Sequence, residues 1–129
     1  KTPVTISGAR TGIVGGAVPF GGFLISLEKL NQIKSIEKTN DGDGRAVVQA
    51  GVILNDFQKE AESRGLFYPP DPTEWSCQIG GTIATNASGS RSFKYGSTRR
   101  FVEALTVVLP TGDVLNLRRG EIFASAADG

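Results

Sequence analysis

Histidine is absent from the 129 residues of this chain. That excludes Ser-His-Asp triads, histidine acid–base chemistry and histidine-ligated metal from these residues. Where the reaction of a larger parent needs a histidine base, that base lies elsewhere. Cysteine occurs once, at Cys77, so an internal disulfide is excluded and a reducing compartment is expected. No apolar run approaches the ~20 residues of a membrane span, and nothing resembles a signal peptide. An excess of one charge is missing too. Fourteen basic and thirteen acidic residues leave +1, which favours neither nucleic acid nor an anionic membrane.

Glycine, by contrast, is plentiful. Seventeen glycines exceed the usual share of about 7%, and they cluster. One stretch is Ser7-Gly8-Ala9-Arg10-Thr11-Gly12-Ile13-Val14-Gly15-Gly16. The other is Ile79-Gly80-Gly81-Thr82-Ile83-Ala84-Thr85-Asn86-Ala87-Ser88-Gly89. A diphosphate needs such bare backbone, because converging N–H groups hold its oxygens and bulky side chains would block them. The pair therefore points to a nucleotide cofactor. Neither common motif fits: the first stretch lacks the second glycine of G-x-G-x-x-G, and neither ends in Gly-Lys-Ser/Thr.

The pattern along the chain predicts an α+β fold. Residues 1–6 read as a short buried strand entering the first glycine loop, and Phe23–Ser26 as a second strand. Leu27, Leu30 and Ile33 have the spacing of a helical turn, and Asn40-Asp41-Gly42-Asp43-Gly44 that of a hairpin turn before a strand from Arg45 to Ala50. The best helix is Asn55–Arg64, with Asn55 or Asp56 as cap and Gly65 as its stop. Leu66–Pro72 is extended and stiffened by three prolines, either as a wall against a flat ligand or as a rigid connector. Phe101–Leu109 and Val114–Leu117 are strands about a turn at 110–113, and the tail from Arg118 has weak signals. There is no regular alternation of strand and helix of the parallel kind.

The ordered set S-G-A-R-T-G-I-V-G-G-A-V-P, P-P-D-P, I-G-G-T-I-A-T-N-A-S-G and K-Y-G-S-T resembles the PCMH-type FAD-binding domain of the vanillyl-alcohol oxidase superfamily. The likeness runs from about Pro3 to Leu117. It is greatest to the branch that holds glycolate oxidase, D-lactate dehydrogenase and D-2-hydroxyglutarate dehydrogenase. The resemblance implies that Gly8, Ala9, Arg10, Thr11 and Gly12 wrap the FAD pyrophosphate, while Gly15 and Gly16 let the loop turn beside it. Pro70, Asp71 and Pro72 would line the approach to the isoalloxazine ring. Gly80, Gly81 and Thr82 would open a short helix against the flavin, its amides facing anionic oxygens, and Thr85, Asn86, Ala87 and Ser88 would continue that wall.

Two residues bear further on the site. Arg10 stands where the branch has glycine, so it either donates to a phosphate or points outward. Cys77 is the sole candidate for a thioether to flavin, against burial as a small apolar residue; with no histidine, the flavin is expected to be noncovalent. Asp71, Asn86 and Thr82 have a plainer reading as turn or capping residues.

The resemblance also implies a partial domain, 1–129, without the opening strand-helix-strand, the last flavin-site element or the substrate domain. The implied parent is an FAD-linked oxidoreductase of a 2-hydroxy acid such as glycolate or D-lactate, passing hydride to flavin N5. It would be cytoplasmic or peripheral to the inner membrane, partnered by its substrate domain and an electron-acceptor protein, with no metal. The alternatives are a non-redox nucleotide- or phosphate-binding module, a degenerate FAD fold, and a flavoenzyme for an alditol or enolpyruvyl compound.

Overall fold

A computed structural model of the protein describes residues 2–121. It has mixed strand and helix content, as the pattern predicts, in two units that meet in sequence at Thr98 and Arg99.

In the first unit, β1 (Val4–Ser7) pairs in parallel with β2 (Phe23–Ser26), in register from Val4↔Phe23 to Ser7↔Ser26. Parallel strands need a long crossover, and here it is the glycine loop at 8–22 rather than a helix. The expectation of a buried first strand is corrected. Val4 and Ile6 are about half exposed and only Ser7 is buried, because β1 and β2 form a two-stranded sheet with no third strand among the described residues.

The predicted helical turn is a single turn, closed by the Leu30 amide on the Leu27 carbonyl at 2.9 Å. Its apolar residue Ile33 instead begins β3 (Ile33–Lys38), antiparallel to β4 (Gly44–Val48). Helix α1 (Leu54–Ser63) buries Leu54, Phe57 and Ala61. These spacings put one stripe on the core, where Leu54 and Phe57 meet Ile36, Val52, Cys77 and Ile79.

The predicted cap of α1 is also corrected. Ile53 occupies the N-cap and no side chain caps the helix. The amides of Leu54 and Asn55 donate instead to the Cys77 and Trp75 carbonyls, at 2.9 and 3.2 Å. A neighbouring extended segment thus does what Asn55 or Asp56 would have done. Gly65 stops the helix as predicted, with a φ of +68° that a side chain tolerates poorly.

Two short helices follow, α2 (Ile79–Ala84) and α3 (Ser92–Tyr95), then a 3-10 turn at Thr98–Phe101. Phe101 therefore ends a turn and does not start a strand. In the second unit, β5 (Ala104–Val108) pairs antiparallel with β6 (Val114–Arg118). Thr106 and Asn116, opposite each other in that ladder, share a side-chain hydrogen bond of 2.8 Å. The predicted tail from residue 122 lies outside the described residues.

Tyr68 packs edge-on against Phe57, with ring centroids 5.0 Å apart. Burial, with a smaller effect of the Cys77 charge, pushes its phenol up to about 12 from 10.0. The native state therefore keeps this proton where the unfolded chain has lost it. That stabilisation is complete below pH 10 and disappears as pH rises through about 12. We expect a tyrosinate absorbance titration to show one of the two tyrosines ionising late and together with alkaline unfolding. Two tyrosines titrating near the ordinary value in folded protein would refute it.

Candidate functional site

The first glycine loop leaves its main chain unspent. Among the described residues, the amides of Ala9, Arg10, Thr11, Gly12 and Ile13 donate no backbone hydrogen bond. A Cβ built on Gly12 or Gly16 meets nothing within 4 Å. Loop closure comes later, where the Val18 amide donates to the Gly15 carbonyl at 3.0 Å. Ala9 and Thr11 are half-buried, while Ile13 is 99% exposed.

Arg10 adopts a φ of +60°, the left-handed region that glycine enters without cost. The guanidinium points outward, 3.5 Å from the Glu28 carboxylate, and both side chains are largely exposed. Such a pair contributes little to stability.

The second stretch divides into structural and open parts. At the start of α2 the Ile79 and Gly80 amides are already used, on the Val52 and Ala50 carbonyls at 2.9 and 2.8 Å. A Cβ on Gly80 would stand 2.7 Å from the Ala50 Cβ, so this glycine serves packing. Gly81 differs: it is exposed, its Cβ position is clear within 4 Å, and its amide donates no backbone hydrogen bond among the described residues. The helix N-terminus thus offers one amide rather than several.

Thr82 is buried, and its hydroxyl donates to the Ile79 carbonyl at 2.8 Å. The Thr85 hydroxyl donates to the Gly81 carbonyl at 2.9 Å. Ala87 is tied by its amide to Thr82 and by its carbonyl to the Thr98 hydroxyl, both at 2.8 Å. Asn86 takes a φ of +48°, a conformation its short polar side chain tolerates. Ser88 is exposed.

The Pro70-Asp71-Pro72 segment is held from both sides. Gln58 of α1 donates its side-chain amide to the Tyr68 and Pro70 carbonyls, at 3.2 and 2.9 Å. The Asp71 carboxylate accepts from Trp75 Nε1 and Ser90 Oγ, each at 3.2 Å, and pairs with Arg91 Nε at 3.3 Å. Its oxygens are thus engaged in fixing the segment. Pro72 lies beside Gly89, whose missing side chain lets the two stretches touch: a Cβ there would fall 1.7 Å from the Asp71 carbonyl oxygen.

Gln78, Gln58 and Gly89 are the residues that sequence reasoning missed. Gln78, the N-cap of α2, is 4% exposed. Its Oε1 is buried without a partner, 2.9 Å from where a Gly8 Cβ would stand. It joins the two glycine stretches. A glutamine before Ile-Gly-Gly carries no recognisable signal, nor does one on a helix face. Gly89 did carry a signal, since it closes the second glycine stretch.

Cys77 is buried in the core, and burial raises its thiol above the ordinary range. No group of metal-ligating side chains occurs among the described residues. None of their helices is long and apolar enough to cross a membrane. Open amides at 9–13 and Gly81, beside bare backbone, suit an anionic diphosphate. The fit is to a nucleotide cofactor.

Comparison with known proteins agrees with this chemistry. The sequence pattern of the family described as FAD binding domain matches residues 1–118. The chain is 54% identical to D-lactate dehydrogenase of Anaerostipes hadrus over 118 residues, covering 91% of this chain and 24% of that protein. It is 42% identical to glycolate oxidase subunit GlcD of Bacillus subtilis over 117 residues, covering 89% and 24%. Among solved structures, alkyldihydroxyacetonephosphate synthase superposes with a TM-score of 0.77 at 26% identity, covering 92% of this chain and 24% of that one. The chain spans about a quarter of the length of the curated relatives it matches.

Proposed function

The chain belongs to the FAD-binding domain family, and from that premise we propose that it holds the FAD of an oxidoreductase that oxidises a 2-hydroxy acid such as glycolate or D-lactate. The substrate class comes from the names of the relatives, a D-lactate dehydrogenase and a glycolate oxidase component. FAD, when bound, supplies the hydride acceptor at N5. This chain's own contribution is binding, orientation and exclusion of water.

One observation carries the reading: the unspent amides of residues 9–13 and Gly81 belong to two stretches that meet through Gly8 and Gln78. In this reading Gly8, Ala9, Thr11 and Gly12 present backbone to the pyrophosphate, and Gly15 and Gly16 shape the exit of the loop. Gly81 presents its amide from the helix side. Gly80, Thr82, Thr85 and Ala87 hold that helix in place. Asn86 and Ser88 continue the wall, and Pro70, Asp71 and Pro72 brace it. Attachment of the flavin is noncovalent, supported by the absence of histidine and the burial of Cys77. The proton of the substrate hydroxyl goes to a base other than a histidine of these residues.

The test is a visible absorption spectrum after incubation with excess FAD and gel filtration. Flavin bands that co-elute with protein and enter the supernatant on acid precipitation are expected. Protein that emerges colourless, from a folded sample, would reject the proposal. Retention of ADP without flavin would instead point to a nucleotide-binding module without redox chemistry.

A further inference from the structure

We propose that Gln78 is a cofactor-contacting residue, its side-chain oxygen accepting a hydrogen bond from a sugar hydroxyl beside the pyrophosphate. The inference rests on the FAD reading above. Gln78 Oε1 is the one buried side-chain polar atom without a hydrogen-bond partner among the described residues. Such an atom is a standing penalty in a folded protein and needs an explanation.

The residue's backbone is fixed from two sides. Its main chain is held by a bridge to Ile53 and by the Thr82 amide, 3.0 Å from the Gln78 carbonyl. The side chain lies against Gly8, at the root of the loop with the unspent amides. Methionine, of similar length, would fill the same space with no unpaired oxygen. Glutamine there costs stability, so its oxygen awaits a donor.

The chemistry of the ligand selects that donor. A pyrophosphate offers acceptors only and cannot satisfy Oε1. The groups flanking it in FAD are the ribityl chain on one side and the adenosine ribose on the other, and both carry hydroxyl donors. These two sources are separable, because FMN carries only the first and ADP only the second.

The experiment compares the full-length protein with its Gln78→Met and Gln78→Leu variants. Thermal unfolding is measured without cofactor, and dissociation constants are measured for FAD, FMN and ADP. Removing the unpaired acceptor is expected to raise the cofactor-free Tm by about 3–6 °C and to weaken FAD about tenfold. A tenfold loss confined to ADP assigns the ribose hydroxyl, and one confined to FMN assigns the ribityl hydroxyl. Unchanged FAD affinity in both variants overturns the inference while leaving the FAD reading intact. Weaker FAD together with a lower cofactor-free Tm also overturns it, since Gln78 would then be a structural strut. Equal losses on FMN and ADP mean a distorted loop and overturn the hydroxyl assignment. Failure of the unmodified protein to bind FAD overturns both proposals.

Discussion

Gly89→Ala is expected to cost about 3 kcal/mol or more of folding stability, enough to unfold a marginal domain at moderate temperature. The added Cβ would lie 1.7 Å from the Asp71 carbonyl oxygen and 3.0 Å from the Pro72 Cα. Both obstacles are main chain, so no rotamer change relieves them. The segment cannot retreat freely either: Gln58 grips the Pro70 carbonyl, while Trp75, Ser90 and Arg91 hold the Asp71 carboxylate. Gly12→Ala is the control, because its Cβ meets nothing within 4 Å. Urea unfolding followed by circular dichroism reads both. A Gly89→Ala midpoint equal to that of Gly12→Ala would show that the two stretches are not packed as described.

Gly81→Val is expected to remove FAD binding, with a loss of at least about a hundredfold, while changing folding stability by no more than about 1 kcal/mol. Its side chain would grow into open space, meeting no protein atom at the Cβ. The same space gives a ligand access to the one unspent amide of the α2 N-terminus. Gly80→Val is the instructive contrast. It would strike Ala50, so fold and cofactor are expected to be lost together. Equilibrium dialysis against FAD, with denaturant unfolding of the same samples, separates the two effects. FAD affinity unchanged in a folded Gly81→Val protein would remove Gly81 from the site.

These neighbouring glycines show what a sequence conveys and what it withholds. Both follow from a pattern of small residues, and nothing in Ile-Gly-Gly-Thr tells them apart. The difference is that Ala50, distant along the chain, faces one and not the other. Thr82 makes the same point. Its type suits a ligand as well as a buried helix, and burial turns its hydroxyl onto the Ile79 carbonyl. Arg10 was ambiguous until its φ of +60° and its Glu28 partner were known.

The α+β class, the hairpin turn before β4, the stop of α1 at Gly65 and the cofactor chemistry were determined by the sequence alone. Each depends on residues close in the chain, or on residue types that admit one chemistry: glycine for left-handed backbone, bare loops for diphosphate, no histidine for the excluded mechanisms. Tertiary structure alone decided the parallel pairing of β1 and β2 and the backbone capping of α1 by Cys77 and Trp75. It also decided the anchoring of Asp71 and the stranded oxygen of Gln78. The physical reason is common to all four. A main-chain hydrogen bond or a close approach is set by whichever segment comes near, and the local residue type carries no record of that neighbour.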